Sequence, residues 1–82
     1  MIQIKLKFTD MSDLYLLNDN HNDIKKVIDN LMVITRHNVL QANQCATLAH
    51  YNGRAHIKKG DIMDLLEMKA EFGEKDILTE IE

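Results

Sequence analysis

The chain has 82 residues and a formal net charge of −3, so it is a single small domain of the kind that is marginal on its own. Hydrophobic residues make up 45% and aromatics 5%, with no Trp and no Pro, which suits aliphatic helix packing and removes the commonest helix breaker. One Cys excludes an internal disulfide framework, and no apolar run reaches the roughly 18 residues of a membrane-spanning helix.

Residues 2–8, IQIKLKF, alternate apolar and polar and predict a half-buried strand or arm. The stretch is too short and too alternating for a secretory signal. It would pair with a partner's sheet edge or pack on its own core. Thr9 and Asp10 are helix N-cap residues by type. Met11–Leu17 is read as a short first helix with Met11, Leu14 and Leu17 inward, ending in the polar loop Asn18-Asp19-Asn20-His21-Asn22.

From Asn22 to Tyr51 there is no Gly or Pro, and Ile24, Val27, Ile28, Leu31 and Ile34 recur at helical spacing. After a polar centre at Arg36-His37-Asn38 the stripe resumes through Ala42, Cys45, Ala46 and Ala49. One helix of this length would extend about 45 Å at 1.5 Å per residue. A compact domain of this size is only about 30 Å across. The helix would overhang it, so its apolar stripe calls for a second chain. Gly53 fits a left-handed helix C-cap. A short strand follows from Arg54 to Ile57, then a third helix from about Asp61 to Phe72. Residues 73–82 read as an acidic tail with a short amphipathic helix carrying Ile77, Leu78 and Ile81, either docking a partner or capping its own domain.

Charge is unevenly spread. Asn30 to Gly60 holds no Asp or Glu but carries Arg36, Arg54, Lys58 and Lys59, while residues 69–82 set two cations against five anions and so hold the whole net charge. No catalytic constellation is visible: Cys45 and His50 fall on different helix faces, the four His lack metal-ligand spacing, and no Gly-rich phosphate loop occurs. The expectation is a protein that is not an enzyme, with no catalytic residue, no metal, no cofactor and no small-molecule substrate.

The phrase GRAHIKKGDI at residues 53–62 resembles the second loop and third helix of the histone fold, archaeal-type histones above all: Arg54, Ile57 and Asp61 stand at the family's spacings. The resemblance implies an all-α histone fold over residues 9–72, built as short helix, long central helix and short helix, and an obligate dimer. It implies a structural ion pair between Arg54 and Asp61. It implies a dimer interface along Leu31, Ile34, Asn38, Ala42, Cys45, Ala46 and Ala49, shared with a second copy or a related histone-fold chain. It also implies non-specific phosphate contacts to double-stranded DNA through Arg54, His56, Lys58 and Lys59, helped by Lys5, Lys7 and His21, in a nucleoid, nucleus or virion. The acidic first loop, with Asp10, Asp13 and Asp19, departs from that pattern and supports an alternative: a histone-fold scaffold for a transcription or regulatory complex, with little DNA binding.

Overall fold

The computed structural model describes residues 11–82. The expected strand at 2–8, the caps Thr9 and Asp10, and Lys5 and Lys7 lie outside these residues. The described chain forms β1 (Ser12–Leu17), α1 (Ile24–Ile34), α2 (Val39–Asn52), β2 (Arg54–Gly60), α3 (Ile62–Glu74) and β3 (Thr79–Ile81). The three strands make one antiparallel sheet in the order β2-β1-β3. This is an α/β fold, so the all-α histone expectation is corrected.

Each correction has a local cause. The segment read as a first helix is the central strand. Its alternation buries Leu14 and Leu16 and leaves Tyr15 half exposed, and Met11, expected inward, is exposed. Tyr15 lies opposite His56 of β2 and Glu80 of β3, with a bulge in the β2 pairing between Leu14 and Tyr15. β2 therefore pairs with β1 of its own chain rather than across a dimer.

The long helix is two helices. Thr35 closes α1, its hydroxyl donating to the Leu31 carbonyl at 2.7 Å, and Arg36 takes a left-handed conformation (φ 62°). Asn38 then opens α2 with a reciprocal capping box: its side chain accepts from the Gln41 amide at 2.8 Å, and the Gln41 side chain accepts from the Asn38 amide at 3.1 Å. The chain folds back at this break, and α1 packs on α2. The overhang that called for a partner does not exist.

Gly53 ends α2 in the left-handed region (φ 92°), where a Cβ would be strained. Asp61 caps α3, accepting from the Met63 amide at 3.1 Å. The expected tail helix is instead a turn followed by β3. Asp76 turns the chain in the left-handed region (φ 61°), and Asp13 and Glu82 exchange two backbone hydrogen bonds of 2.8 Å.

α2 and α3 pack on one face of the sheet, and α1 packs on them. The core between them is Leu14, Leu16, Leu31, Ala42, Ala49, Ala55, Ile57, Leu65, Phe72 and Ile77, with Val27, Ile28, Ile34, Cys45, Met68 and Ile81 packed against it. The residues assigned to a dimer interface have work inside this chain. Leu31, Ala42, Ala46 and Ala49 are buried, Ile34 and Cys45 flank the core, and Asn38 is the cap of α2. The Cys45 thiol lies 3.8 Å from the His56 carbonyl, and burial pushes its pKa up.

Candidate functional site

β1 delivers the chain to the top of the sheet and stops at Leu17. Two backbone bonds fix where it leaves: the Leu17 amide donates to the Leu78 carbonyl at 3.1 Å, and the Asn18 amide donates to the Gly53 carbonyl at 2.9 Å. The second places Asn18 beside the end of α2, whose last turn carries His50. The loop then tightens on Asp19. One oxygen of its carboxylate accepts the His21 amide at 2.6 Å and the Asn22 amide at 3.2 Å, and the other accepts the Asn22 side-chain amide at 2.6 Å. The same Asn22 amide group donates to the Asp76 carbonyl at 2.8 Å, tying this loop to the one before β3, and Lys26 donates to the Asn22 oxygen at 2.8 Å.

Desolvation raises the Asp19 pKa, but the hydrogen bonds from His21 and Asn22 outweigh it, so the carboxyl sits below its ordinary range. It is anionic at neutral pH. A carboxylate has about four lone-pair sites, and three hydrogen bonds leave capacity for a further donor.

Behind this rim opens a cavity of about 60 Å³. Leu16, Leu17, Ile24, Val27, Ala46, Ala49 and Ile77 make its apolar lining, with Asn18, Asp19, Asn22 and His50 at its polar side. The walls come from four places in the chain: the end of β1, α1, α2 and the segment before β3. Ala46 and Ala49 keep the α2 wall low, while Ile24 stands half exposed at the lip. A small apolar hole with an anion, an amide and an imidazole along one side suits a ligand that joins a hydrophobic group to a cation. Asn18, Asp19 and Asn22 read in the sequence as a polar loop, with Asp19 an acidic departure from the DNA-binding pattern, and His50 as a histidine without metal-ligand spacing. The available signal was an Asx-rich stretch directly after an apolar run, since Asx side chains fold back on backbone amides.

Of the residues expected to hold DNA, Arg54, His56 and Lys59 lie away from this pocket and are engaged by carboxylates. Arg54, on the outer face of the sheet, makes a two-pronged contact with Glu82 at 2.6 and 3.0 Å, reaches Glu80 at 3.3 Å, and stacks its guanidinium 3.8 Å from the Tyr15 ring centre. Its ion pairs are therefore with Glu82 and Glu80, while Asp61, the partner expected for it, serves as a helix cap. The Glu82 hydrogen bonds raise the Arg54 pKa further and hold that of Glu82 down. His56 contacts Asp13 at 2.8 Å and Lys59 reaches the same oxygen at 3.3 Å, and the His56 hydrogen bond, ahead of Lys59, holds the Asp13 pKa down. Lys58 is exposed on β2, and His21 stands at the loop below Asp19. At Arg54, His56 and Lys59 phosphate would have to displace these internal partners.

The fold is a small α/β domain with an apolar pocket beside a fixed carboxylate at one end of its sheet. Residues 7–75 match the family described as the ATP-dependent Clp protease adaptor protein ClpS, and the chain belongs to that family. Among solved structures, the chain is similar to Agrobacterium tumefaciens ClpS2 bound to L-phenylalaninamide, with a TM-score of 0.81 and 18% sequence identity over 88% of this chain and 94% of that one. No curated protein matches the sequence. The family consists of protease adaptors, so the chain is not an enzyme. The histone resemblance, the DNA-binding and chromatin role, the alternative histone-fold scaffold, the histone-fold or DNA partner and the DNA-associated location are all overturned by this membership.

Proposed function

We propose that this chain is an adaptor that captures the N-terminal residue of a target polypeptide in the pocket beside Asp19 and presents that polypeptide to a Clp ATP-dependent protease. The reading is carried by one observation: an apolar cavity whose rim holds a carboxylate fixed by three hydrogen bonds. A free N-terminus is a cation attached one carbon away from a side chain. The ammonium is held by Asp19, with the Asn18 amide and the His50 ring as further partners, while an apolar side chain enters between Ile24, Val27, Ala46, Ala49 and Ile77. The ligand in the similar structure, phenylalaninamide, has this chemistry: a free amine, a benzyl group and a carboxamide in place of the next peptide bond. It supports the same use of the pocket here.

The chain's own part in the mechanism is positional. Asp19 needs no rearrangement to receive the ammonium, because His21 and Asn22 already hold it. An internal residue of a polypeptide has no α-ammonium, so an apolar side chain entering from mid-chain would leave the carboxylate unpaired against an apolar wall, which is costly. The pocket therefore reads an end rather than a sequence. The test is fluorescence anisotropy with a labelled peptide beginning with Phe, alongside the same peptide acetylated at its N-terminus. The free peptide is expected to bind and be displaced by unlabelled phenylalaninamide, with acetylation abolishing binding. Equal binding of the two peptides would overturn the assignment.

A further inference from the structure

We propose that the end of the molecule opposite the pocket, where α1 breaks into α2, docks an acidic segment of a partner protein that carries aliphatic side chains between its carboxylates; this goes beyond the adaptor reading and does not depend on it. The surface is made by Arg36, His37 and Lys58 with Val33, Val39 and Leu40, all of them exposed except the half-buried His37. It lies at the start of α2, whereas His50 carries the pocket at the other end of the same helix. The 14 residues of α2 separate the two by about 21 Å at 1.5 Å per residue.

Two backbone irregularities aim the cations at this spot. Arg36 holds a left-handed conformation (φ 62°), which Gly or Asn adopts more easily than Arg. In β2 the register slips, so that Lys58 stands opposite Leu14 and His56 opposite Tyr15, with Ile57 as the extra residue. Leu14 is buried against the helices, so the bulge turns Lys58 to the helix side of the sheet, while Lys59 points outward to Asp13. There Lys58 meets the residue next to Arg36. Burial pushes the His37 pKa down, and the Lys58 charge pushes it the same way. The Thr35 hydroxyl, whose proton goes to the Leu31 carbonyl, accepts from His37 Nδ1 at 2.5 Å and fixes the ring.

No carboxylate among the described residues answers these charges. Lys25 pairs with Asp29, Arg54 with Glu82 and Glu80, and Lys59 with Asp13, while Lys26 and Lys69 donate to the Asn22 oxygen and the Thr79 carbonyl. Arg36 and Lys58 have no partner of either kind among the described residues, and residues 30–60 hold no Asp or Glu. Asp61, the carboxylate nearest to Lys58 along the chain, is turned to the Met63 amide. In a chain of net charge −3 these cations are a local surplus, complementary to carboxylates on another protein. Val33, Val39 and Leu40 in the same stretch supply apolar area for aliphatic side chains set between those carboxylates.

The probe is a fluorescein-labelled peptide acetylated at its N-terminus, Glu-Leu-Glu-Asp-Leu-Glu, beside the same peptide with Gln and Asn for its acidic residues. The acidic peptide is expected to bind at low salt and more weakly at near-physiological salt, and saturating phenylalaninamide should not displace it. Lys58→Gln and Arg36→Asn should each weaken it about threefold to fivefold at low salt, the scale of exposed ion pairs. Arg36→Asn should do so with Tm unchanged or raised, because Asn tolerates the left-handed backbone, which separates docking from folding. The proposal is overturned if the acidic peptide does not bind at low salt, if the neutral peptide binds as tightly, if phenylalaninamide displaces the acidic one, or if neither substitution moves its affinity. Both variants should bind the free Phe peptide as the unsubstituted chain does, so failure of this surface and failure of the pocket are told apart.

Discussion

On the inner face of the sheet Leu14, Leu16, Ala55 and Ile57 are buried against the three helices, whereas one residue along the same strands Tyr15, Arg54 and His56 face outward among Glu80, Glu82 and Asp13. The two faces share a backbone and differ only in the parity of the residue number. The inner face is held by removal of apolar surface from water, which salt hardly alters. The outer face is held by exposed ion pairs and a stacked guanidinium, which salt screens. The pocket proposed for capture lies along the inner face, where the apolar wall is, and takes its carboxylate, Asp19, from the loop at the end of β1. Arg54, His56 and Lys59, which stand out as cations in the sequence, lie on the other side and are engaged by Glu82, Glu80 and Asp13.

This contrast can be broken experimentally. The largest effect is expected inside. Phe72 is fully buried, so Phe72→Ala should cost about 3–5 kcal/mol, enough to consume much of a small domain's stability and visible as a large drop in Tm. A small drop would mean that the inner face is not the main source of stability. Next comes the rim. Asp19→Asn should weaken a Phe-initiated peptide at least about tenfold while lowering Tm by less than Phe72→Ala, because the amide oxygen can still accept the His21 and Asn22 backbone amides, while the bond from the Asn22 side chain is lost and an ammonium is no longer neutralised. Unchanged affinity would remove Asp19 from the site.

The pH dependence sharpens the same point. The Asp19 carboxyl is depressed in the folded chain, so its contribution to stability is present above its unfolded value of 3.8 and is lost as pH falls through the lower folded value. Its anionic form should therefore persist through mildly acidic buffer. On the alkaline side, affinity should fall as the peptide's own amine deprotonates at about pH 8. Binding that rises above that pH would contradict ammonium recognition. The smallest effect is expected on the outer face. Arg54→Gln should lower Tm less than Phe72→Ala, by an amount that shrinks in high salt, and should leave peptide affinity unchanged; an effect that high salt does not reduce would erase the distinction between the faces.

Local grammar in the sequence was legible, and the way its pieces assemble was not. Gly53 as a left-handed cap and Asp61 as the start of a helix are both present in the structure. The histone reading failed because cap, short strand and capped helix make a phrase that unrelated folds share. Asn38-Val39-Leu40-Gln41 carries a capping box in plain letters, yet an uninterrupted apolar stripe on both sides favoured one long helix. The residues Met11, Leu14 and Leu17 fit a helical turn as well as Leu14 and Leu16 fit a strand. What decides between them is β2, about forty positions later, and no local window contains it. The site was hidden for the same reason. Asn18, Asp19 and Asn22 look like any polar loop until the Gly53 carbonyl, the Asp76 carbonyl, His50 and Ile77 are brought to them from distant parts of the chain.

The lacing of the rim has a consequence for how fast and at what thermodynamic cost the pocket works. Asn18 is bonded to Gly53, Leu17 to Leu78, and Asn22 to both Asp19 and Asp76. Little of the receiving surface has to be ordered at the moment of encounter, so the entropic penalty falls mostly on the incoming polypeptide. In the proposed adaptor role, such a site would associate at a rate set by collision and orientation, and would discriminate among chain ends by how long each one stays. Residence time, rather than arrival, would then be the quantity that decides which polypeptides are passed on.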